Sequence, residues 1–260
     1  PQGGFWRVVE RIAELAEAAG ARIVLDADVT AISTGIRSGA PTVSGVEWRD
    51  SDGVAHTADA DIVVSGADLH HTETALLPPH LRTYPDSWWQ RRTSGPGAVL
   101  VMLGVRGSLP ELPHHSLFFT EDWDANFDAI FGDAPEIPSP ASTYVCRPSA
   151  TDSTVAPEGH ENLFVLVPIP ADTALGAGGS DGGGSAAIER AADAAIDQIS
   201  RWAGIDDLRE RIVVRETKGP ADFLEDYNSW RGGMLGPAHI LSQSAMFRAQ
   251  NESRQVTGLY

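Results

Sequence analysis

The sequence predicts an α/β (α+β) chain of two lobes, and three observations support this prediction. Apolar residues recur at helical spacing from Phe5 to Ala19, with Gly20 as a stop. Short strand-like runs follow and end in the apolar residues 61–65. After residues 77–79 (Leu-Pro-Pro), the apolar runs become longer. With 260 residues, 42% of them apolar, the chain can form one large domain or two small ones.

In the first lobe, short strands are predicted to follow this helix. They are residues 22–25, 29–32, 42–48 and 54–58. The Arg-Asp-Ser-Asp-Gly turn at residues 49–53 joins the last two in a meander. The predicted order is a helix, a strand, a meander and a final strand at residues 61–65. This order is similar to that in the middle of a flavin-binding domain of the glutathione-reductase type. This similarity rests on the order of the elements.

The second lobe is predicted to be a mixed sheet with covering helices. Its strands are residues 98–105, 116–119, 142–146 and 162–169, with a further short run at 212–214. Helical spacing predicts helices over residues 186–203 and 220–231. Residues 171–185 contain GAGGSDGGGS, which buries too little surface to offset its ordering entropy, so a mobile loop is expected. The run lacks the Gly-Lys-Ser/Thr ending of a P-loop, which favours a linker over a phosphate site.

Charge and composition exclude several classes of function. With 19 basic and 36 acidic residues, the net charge of −17 repels nucleic acid, so no nucleic-acid partner is expected. The single cysteine, Cys146, excludes an intrachain disulfide and a thiol-based metal cluster, and it fits a reducing cytoplasm. No apolar run approaches the roughly 20 residues of a membrane span, and the first residues do not resemble a signal peptide. We expect a cytoplasmic protein, either soluble or attached peripherally to the inner face of the cell membrane.

Polar residues give no convincing catalytic or metal site. The tandem histidines at 70–71 and 114–115 would point to opposite sides of an extended segment, and neither pair has a partner at helical ligand spacing. They are interpreted as surface or structural histidines. Asp152, Ser153 and His160 could suggest a hydrolase triad, but no Gly-x-Ser-x-Gly elbow is present, so a turn is favoured. The catalytic residues stay unassigned, and no metal is expected.

Three segments resemble one enzyme family. They are HHSLFF at 114–119, STYVCRPSATDSTVAPEGHENLFVLVPIP at 142–170 and PADFLEDYNSWRGGMLGPAHILSQSAMFRAQN at 220–251. In this order they resemble bacterial-type phytoene desaturases, FAD-dependent enzymes that introduce double bonds into carotenoid precursors. Such enzymes are longer; they open with GxGxxG and close with a second glycine-rich flavin segment, and this sequence contains neither. The resemblance implies an internal fragment that is inactive alone and does not retain FAD.

The resemblance also implies where FAD would lie. Residues 1–75, with 250–260 returning to them, would form a partial FAD-binding lobe, and residues 76–249 the substrate-binding lobe. The backbone of Val29 matches the position that pairs with adenine; the alternative is an ordinary core residue of a strand.

A turn beside the dinucleotide matches Gly66, Ala67 and Asp68. Gly66 replaces the family's asparagine, and a tight turn there would be easier with glycine. Asp68 is more simply interpreted as the cap of the next helix.

An apolar channel for a long isoprenoid is the further implication of the resemblance. The substrate-binding candidates are Tyr144, Phe164, Leu166, Phe247 and Arg248, with Val101 also expected in the lining. Arg248 is either a buried functional charge near the isoalloxazine or a member of a structural ion pair. Ala249 stands where the family usually has proline.

The implied function is oxidation of a long isoprenoid hydrocarbon, with the electrons passing to FAD, on an enzyme that touches the membrane surface peripherally. Carotenoid ketolases and desaturases of C30 dehydrosqualene share the architecture and stay open as alternatives. A non-enzymatic carrier that binds an isoprenoid is the alternative from another class.

Overall fold

The computed structural model describes residues 2–260 and contains seven α-helices and eight strands within that range, besides short 3-10 turns. In chain order they are α1 (Trp6–Ala18), β1 (Asp28–Arg37), β2 (Ala40–Arg49), β3 (Ala55–Asp59), α2 (Leu69–Thr74), α3 (Asp86–Trp89), β4 (Gly97–Arg106), β5 (His115–Phe118), α4 (Trp123–Phe131), β6 (Thr143–Cys146), β7 (His160–Ile169), α5 (Ala186–Ala203), α6 (Leu208–Arg211), β8 (Ile212–Lys218) and α7 (Pro220–Tyr227). The predicted α/β (α+β) class is confirmed. Among the described helices, none has the length and hydropathy needed to cross a membrane.

Contacts divide the chain into two units whose segments alternate along the sequence. The five-stranded unit comprises residues up to 21, 96–226 and 231–235, and the three-stranded unit comprises residues 22–95, 227–230 and 236–260. The sequence-based division placed residues 1–75 and 250–260 in one lobe and 76–249 in the other. By contacts, the first helix groups with the larger sheet, while residues 76–95 and 236–249 group with the smaller one.

The three-stranded unit contains an antiparallel sheet in the order β1-β2-β3. Its core contains Ile32, Val43, Leu76, Leu77, Leu81, Val256 and Leu259. The last residues of the chain reach this core through two bridges: Thr257 pairs with Thr42 of β2, and Leu259 pairs with Val63. Ser65 donates its N–H to the carbonyl of Tyr260 at 2.8 Å.

Two strand predictions in this unit are wrong. Residues 22–25 join neither described sheet, and their apolar side chains are exposed. Residues 61–65 were expected to form a buried strand, but only Val63 forms a bridge and packs on the core, while Ile62 and Val64 are exposed. Both runs were assigned from β-branched and apolar content, which does not by itself supply a partner strand.

The five-stranded unit contains a sheet in the order β5-β6-β7-β4-β8, and every neighbouring pair is antiparallel. The sequence predicted a mixed sheet, and this prediction is wrong because all neighbouring strands are antiparallel. Alternate residues of β4, β6 and β7 are buried against α5, because successive side chains of a strand point to opposite faces. This buried core contains Val99, Val101, Leu103, Val105, Val145, Leu163, Val165, Val167, Ile169, Ile188, Ala192, Ala195, Ile196 and Ile199.

The glycine-rich loop before α5 packs tightly on β8. The N–H of Gly178 donates to Asp222 Oδ2 at 2.7 Å, and the N–H of Gly179 donates to Thr217 Oγ1 at 2.9 Å. A Cβ added at Gly178 would lie 2.0 Å from the carbonyl oxygen of Thr217. Glycine is needed there because the backbones approach so closely. A mobile loop was predicted because this segment was expected to bury too little surface, and that reason is wrong, since its backbone packs on β8 and bonds to Asp222.

Candidate functional site

An open cavity of about 460 Å³ lies within the three-stranded unit. It brings together residues that the sequence placed in different sites: Ala67 from the predicted flavin turn, and Phe247 and Arg248 from the predicted substrate set. The cavity is also lined by Glu73 and Trp88, which were not predicted as site residues. The candidate flavin-facing turn and part of the candidate substrate set thus share one cavity.

Aromatic rings and an arginine form one wall of the cavity. The ring of Trp88 lies 4.6 Å from that of Tyr84, and the guanidinium carbon of Arg92 lies 4.1 Å from the Trp88 ring centre. This arrangement is a cation–π contact. Arg92 Nη1 donates to the carbonyl of Ser242 at 3.2 Å, whereas Arg92 Nε is buried with no hydrogen-bond partner among the described residues. The wall therefore combines a flat apolar surface with a spare hydrogen-bond donor.

Glu73 supplies a buried carboxyl group to the same cavity. Its residue is only 3% exposed, and it accepts a hydrogen bond from the N–H of Tyr84 at 3.1 Å. Burial raises the pKa of Glu73 above its ordinary value, because the charged form loses its hydration. Glu73 was not among the residues predicted to form a site. The spacing of Leu69, Thr72, Glu73 and Leu76 could have shown that it lies on the buried face of α2.

The favoured role of Asp68 as a helix cap is supported by the contacts. Its Oδ1 accepts hydrogen bonds from the N–H groups of His70 at 2.8 Å and His71 at 3.4 Å, at the start of α2. Its Oδ2 accepts a further bond from the N–H of Trp230 at 3.2 Å. These contacts occupy both carboxylate oxygens, so the side chain fixes the path of the backbone beside Ala67.

The structure does not support the arguments made from the sequence for Gly66 and Val29. Gly66 has an ordinary φ, and an added Cβ would meet no atom within 4 Å, so the turn does not require glycine and that argument was wrong. Val29 is 37% exposed near the start of β1, outside both the core and the residues that line the cavity. The alternative interpretation of Val29 as a core residue is therefore not supported.

The substrate candidates Tyr144, Phe164 and Leu166 lie together on the sheet face opposite α5. Tyr144 is the cross-strand partner of Leu166, and Phe164 pairs with Met102. We define the open face as Leu100, Met102, Leu117, Tyr144, Phe164 and Leu166. All but Leu117 are half-buried, and Leu117 is exposed. A cavity of about 330 Å³ adjoins Met102 and Phe164.

Three expectations about the apolar lining need correction. Val101 is fully buried and points toward α5, because its side chain alternates with that of Met102. Phe247 is 57% exposed and belongs to the three-stranded unit, whereas Tyr144, Phe164 and Leu166 belong to the five-stranded unit. Arg248 lines the cavity but is exposed, so it is not a buried charge.

The hydrolase alternative gains no support from Asp152. Its Oδ1 accepts hydrogen bonds from the N–H and the hydroxyl of Thr154, at 2.9 and 2.6 Å. These bonds, led by that from the hydroxyl, lower the pKa of Asp152 to about 2. Asp152 therefore stabilises a local turn.

Comparisons with known proteins identify homologues over the whole chain. No family model matches it. The chain is 41% identical to the carotenoid 3,4-desaturase of Haloarcula japonica over 260 residues, which cover 100% of this chain and 49% of the relative. It is 30% identical to the phytoene desaturase of Phycomyces blakesleeanus over 261 residues, covering 100% of this chain and 42% of that enzyme. The 4,4'-diapophytoene desaturase (4,4'-diaponeurosporene-forming) of Staphylococcus haemolyticus is 26% identical over 265 residues, again 100% of this chain and 50% of the relative.

Among solved structures, an oxidoreductase from Methanosarcina mazei matches 84% of this chain and 41% of its own, with a TM-score of 0.45 and 16% identity. That similarity is too weak to inform the function. The chain spans about half the length of the curated relatives that it matches. Along its whole length, the chain is a homologue of carotenoid and phytoene desaturases.

Proposed function

We propose that this chain is part of a flavin-dependent desaturase that oxidises a long isoprenoid hydrocarbon and introduces conjugated double bonds. The observation that carries the proposal is the 41% identity with a carotenoid 3,4-desaturase over all 260 residues. The match includes both units, so it covers the cavity and the open face together.

For the substrate, the open face offers the chemistry that a polyene needs. A hydrocarbon presents almost no hydrogen-bonding groups, so it must be held by apolar contact and by shape. Tyr144, Phe164 and Leu166 supply a continuous apolar surface on paired strands, which is more rigid than a loop. We propose that the chain of the isoprenoid lies along this face.

For the cofactor, the cavity residues fit part of a flavin. Trp88 and Arg92 would contact a planar ring system, the spare Nε–H of Arg92 would donate to a ring acceptor, and Glu73 would keep a carboxyl group near it. FAD, once bound, would supply the redox chemistry by accepting a hydride. The sequence holds no GxGxxG segment, so the pyrophosphate contacts must come from other residues. We therefore propose that FAD is the cofactor of the complete enzyme and that this chain alone does not retain it.

A second substrate class is favoured by one further comparison. The relatives include 4,4'-diapophytoene desaturases from Staphylococcus haemolyticus and a Methylomonas species, each 26% identical to this chain. A diapocarotenoid substrate is therefore the alternative within the same chemistry. Either substrate dissolves in lipid, which supports a peripheral contact between the enzyme and a membrane. We propose that this contact is at the cytoplasmic face of the cell membrane.

A chimera would test the proposal. The matching segment of the Haloarcula japonica enzyme is replaced by residues 1–260, and the chimera is produced in a host that accumulates the carotenoid substrate. We expect the purified chimera to be yellow with bound FAD, and the extracted carotenoid to absorb at longer wavelength because its conjugated system is extended. A folded, FAD-loaded chimera that leaves the substrate unchanged would contradict the proposal.

Two neighbouring positions in the same sheet give matched variants of the chimera. Phe164→Ala removes a side chain from the open face, and we expect a lower yield or a shorter conjugated product with normal FAD content. Val101→Ala changes the covered core, and we expect a loss of stability with an unchanged product pattern. Equal effects on the product would mean that the open face does not contact the substrate.

A further inference from the structure

We propose that His114, His115 and Cys146 form a binding site for one zinc-class divalent cation. One ligand atom from each of the three side chains lies within 4.8 Å of the others. The cluster belongs to the five-stranded unit, whereas the cavity of about 460 Å³ belongs to the three-stranded unit. Its neighbour Tyr144 is also a member of the open face.

Strand pairing brings the ligands together, although they lie far apart in the sequence. His115 on β5 is the cross-strand partner of Cys146 on β6. Directly paired residues of antiparallel strands project to the same side of the sheet. His114 lies in a bend just before β5, so its side chain does not have to alternate with that of His115, and the two imidazole ring centres lie 4.2 Å apart. The N–H of Arg147 donates to the carbonyl of His114 at 2.8 Å and fixes the backbone there.

Each of the two imidazole rings has a hydrogen-bond partner at its Nδ1 atom. His114 Nδ1 lies 2.6 Å from Thr151 Oγ1, and His115 Nδ1 lies 2.8 Å from the hydroxyl of Tyr144. While these bonds are kept, the Nε2 atom of each ring is the one available to a cation. Hydrogen bonds to the second ring nitrogen are the usual way in which proteins fix metal-binding histidines.

The ligand set selects the type of cation. One thiolate and two imidazoles suit zinc and similar d-block ions, and the cluster, as far as the described residues show, contains no carboxylate that would favour magnesium or calcium. Metal–ligand bonds of about 2.0–2.3 Å in a tetrahedral site imply ligand separations of about 3.3–3.8 Å. The atoms must therefore draw together, and His115 can move because it is exposed. Three protein ligands leave a fourth position for water.

Cobalt provides a direct test, because a cobalt–thiolate bond gives a charge-transfer band that histidine and carboxylate ligands do not. The 260-residue chain is titrated with Co²⁺ without oxygen, and Zn²⁺ affinity is then measured by competition with a chromophoric chelator. We expect one bound Co²⁺ with the thiolate band and its displacement by Zn²⁺. A titration without this band would overturn the proposal.

Matched variants separate the ligands from the residue that orients them. Cys146→Ser should abolish the band, and His115→Gln should weaken Zn²⁺ binding at least about tenfold. Tyr144→Phe should keep the band but weaken binding about 10–100-fold, the usual effect of removing an outer hydrogen bond. His239→Gln changes an exposed histidine of the other unit and should have no effect. An unchanged band in Cys146→Ser, or unchanged affinity in His115→Gln, would refute the site. Far-UV circular dichroism checks that each variant is folded. Cys146→Ala is a second variant that removes the thiol, for use if Cys146→Ser does not fold.

Discussion

Replacing Gly178 with alanine decides between a packed and a flexible glycine-rich loop. The added Cβ would lie 2.0 Å from the carbonyl oxygen of Thr217 and 2.5 Å from the N atom of Lys218. Both are backbone atoms of β8, so they cannot rotate away as a side chain would. The loop must then move off the strand.

The cost follows from the contacts that this movement breaks. Overpacking costs about 1–3 kcal/mol, and loss of the hydrogen bond from Gly178 to the Asp222 carboxylate costs about 1.5–3 kcal/mol. We expect Gly178→Ala to lower the free energy of unfolding by about 3–5 kcal/mol. A loop free of contacts predicts the opposite sign, a gain of about 0.4–1 kcal/mol, because alanine restricts the unfolded chain.

Urea unfolding followed by circular dichroism measures the change, and hydrogen exchange of α5 and β8 assigns it to the five-stranded unit. Two other glycines are controls. Gly182 has a φ of +83° but open space, so Gly182→Ala should cost about 1–2 kcal/mol. Gly66 has an ordinary φ and open space, so Gly66→Ala should change stability by less than about 0.5 kcal/mol. A Gly178→Ala variant as stable as the original would refute the packed loop.

Three further predictions concern Glu73 in the cavity, the Asp68 cap of α2, and the two faces of the five-stranded sheet. Glu73→Gln should be more stable than the original chain at about pH 8 and lose this advantage toward about pH 5. The pKa of Glu73 is raised in the folded state, so the free-energy penalty for its buried charge is absent below the ordinary value of 4.5 and develops as the pH rises through the folded-state pKa. Thermal unfolding of both proteins across this pH range measures the difference. A difference that does not change with pH would contradict the role of burial. Asp68→Ala should cost about 0.5–2 kcal/mol in urea unfolding, because α2 loses its cap, and Asp68→Ser should restore most of this; equal losses in both variants would exclude capping. Val101→Ala should destabilise the chain by more than about 1 kcal/mol, and Phe164→Ala should destabilise it less, because only Val101 leaves a closed cavity; the reverse order in urea unfolding would misassign the two sheet faces.

Local patterns predicted the elements of the five-stranded unit well. The runs at 98–105 and 162–169 correspond to β4 and β7, and the helix predicted at 186–203 is α5. These segments carry their signal in their own periodicity. The helix predicted over residues 220–231 ends at Tyr227 instead, because Asn228 adopts a φ of +53°, which is incompatible with a continuing right-handed helix.

What the sequence could not predict depends on pairing between distant segments. The order of the strands places His115 opposite Cys146, and no local pattern contains that register. The run at 22–25 has the composition of a strand but joins neither described sheet. In the candidate cavity, the burial of Glu73 can be predicted from helical spacing. That Glu73 and Phe247 line the same cavity can be seen only in the folded chain.

The alternation of the two units along the sequence sets an order of events during synthesis. All segments of the five-stranded unit have been made once residue 235 is reached. The three-stranded unit begins at residue 22, but its core still lacks Val256 and Leu259 at that time. Its first strands therefore keep apolar surface exposed to solvent while the other unit is translated. Chaperones that bind nascent chains should accordingly contact β1 and β2 for longer than any strand of the larger sheet.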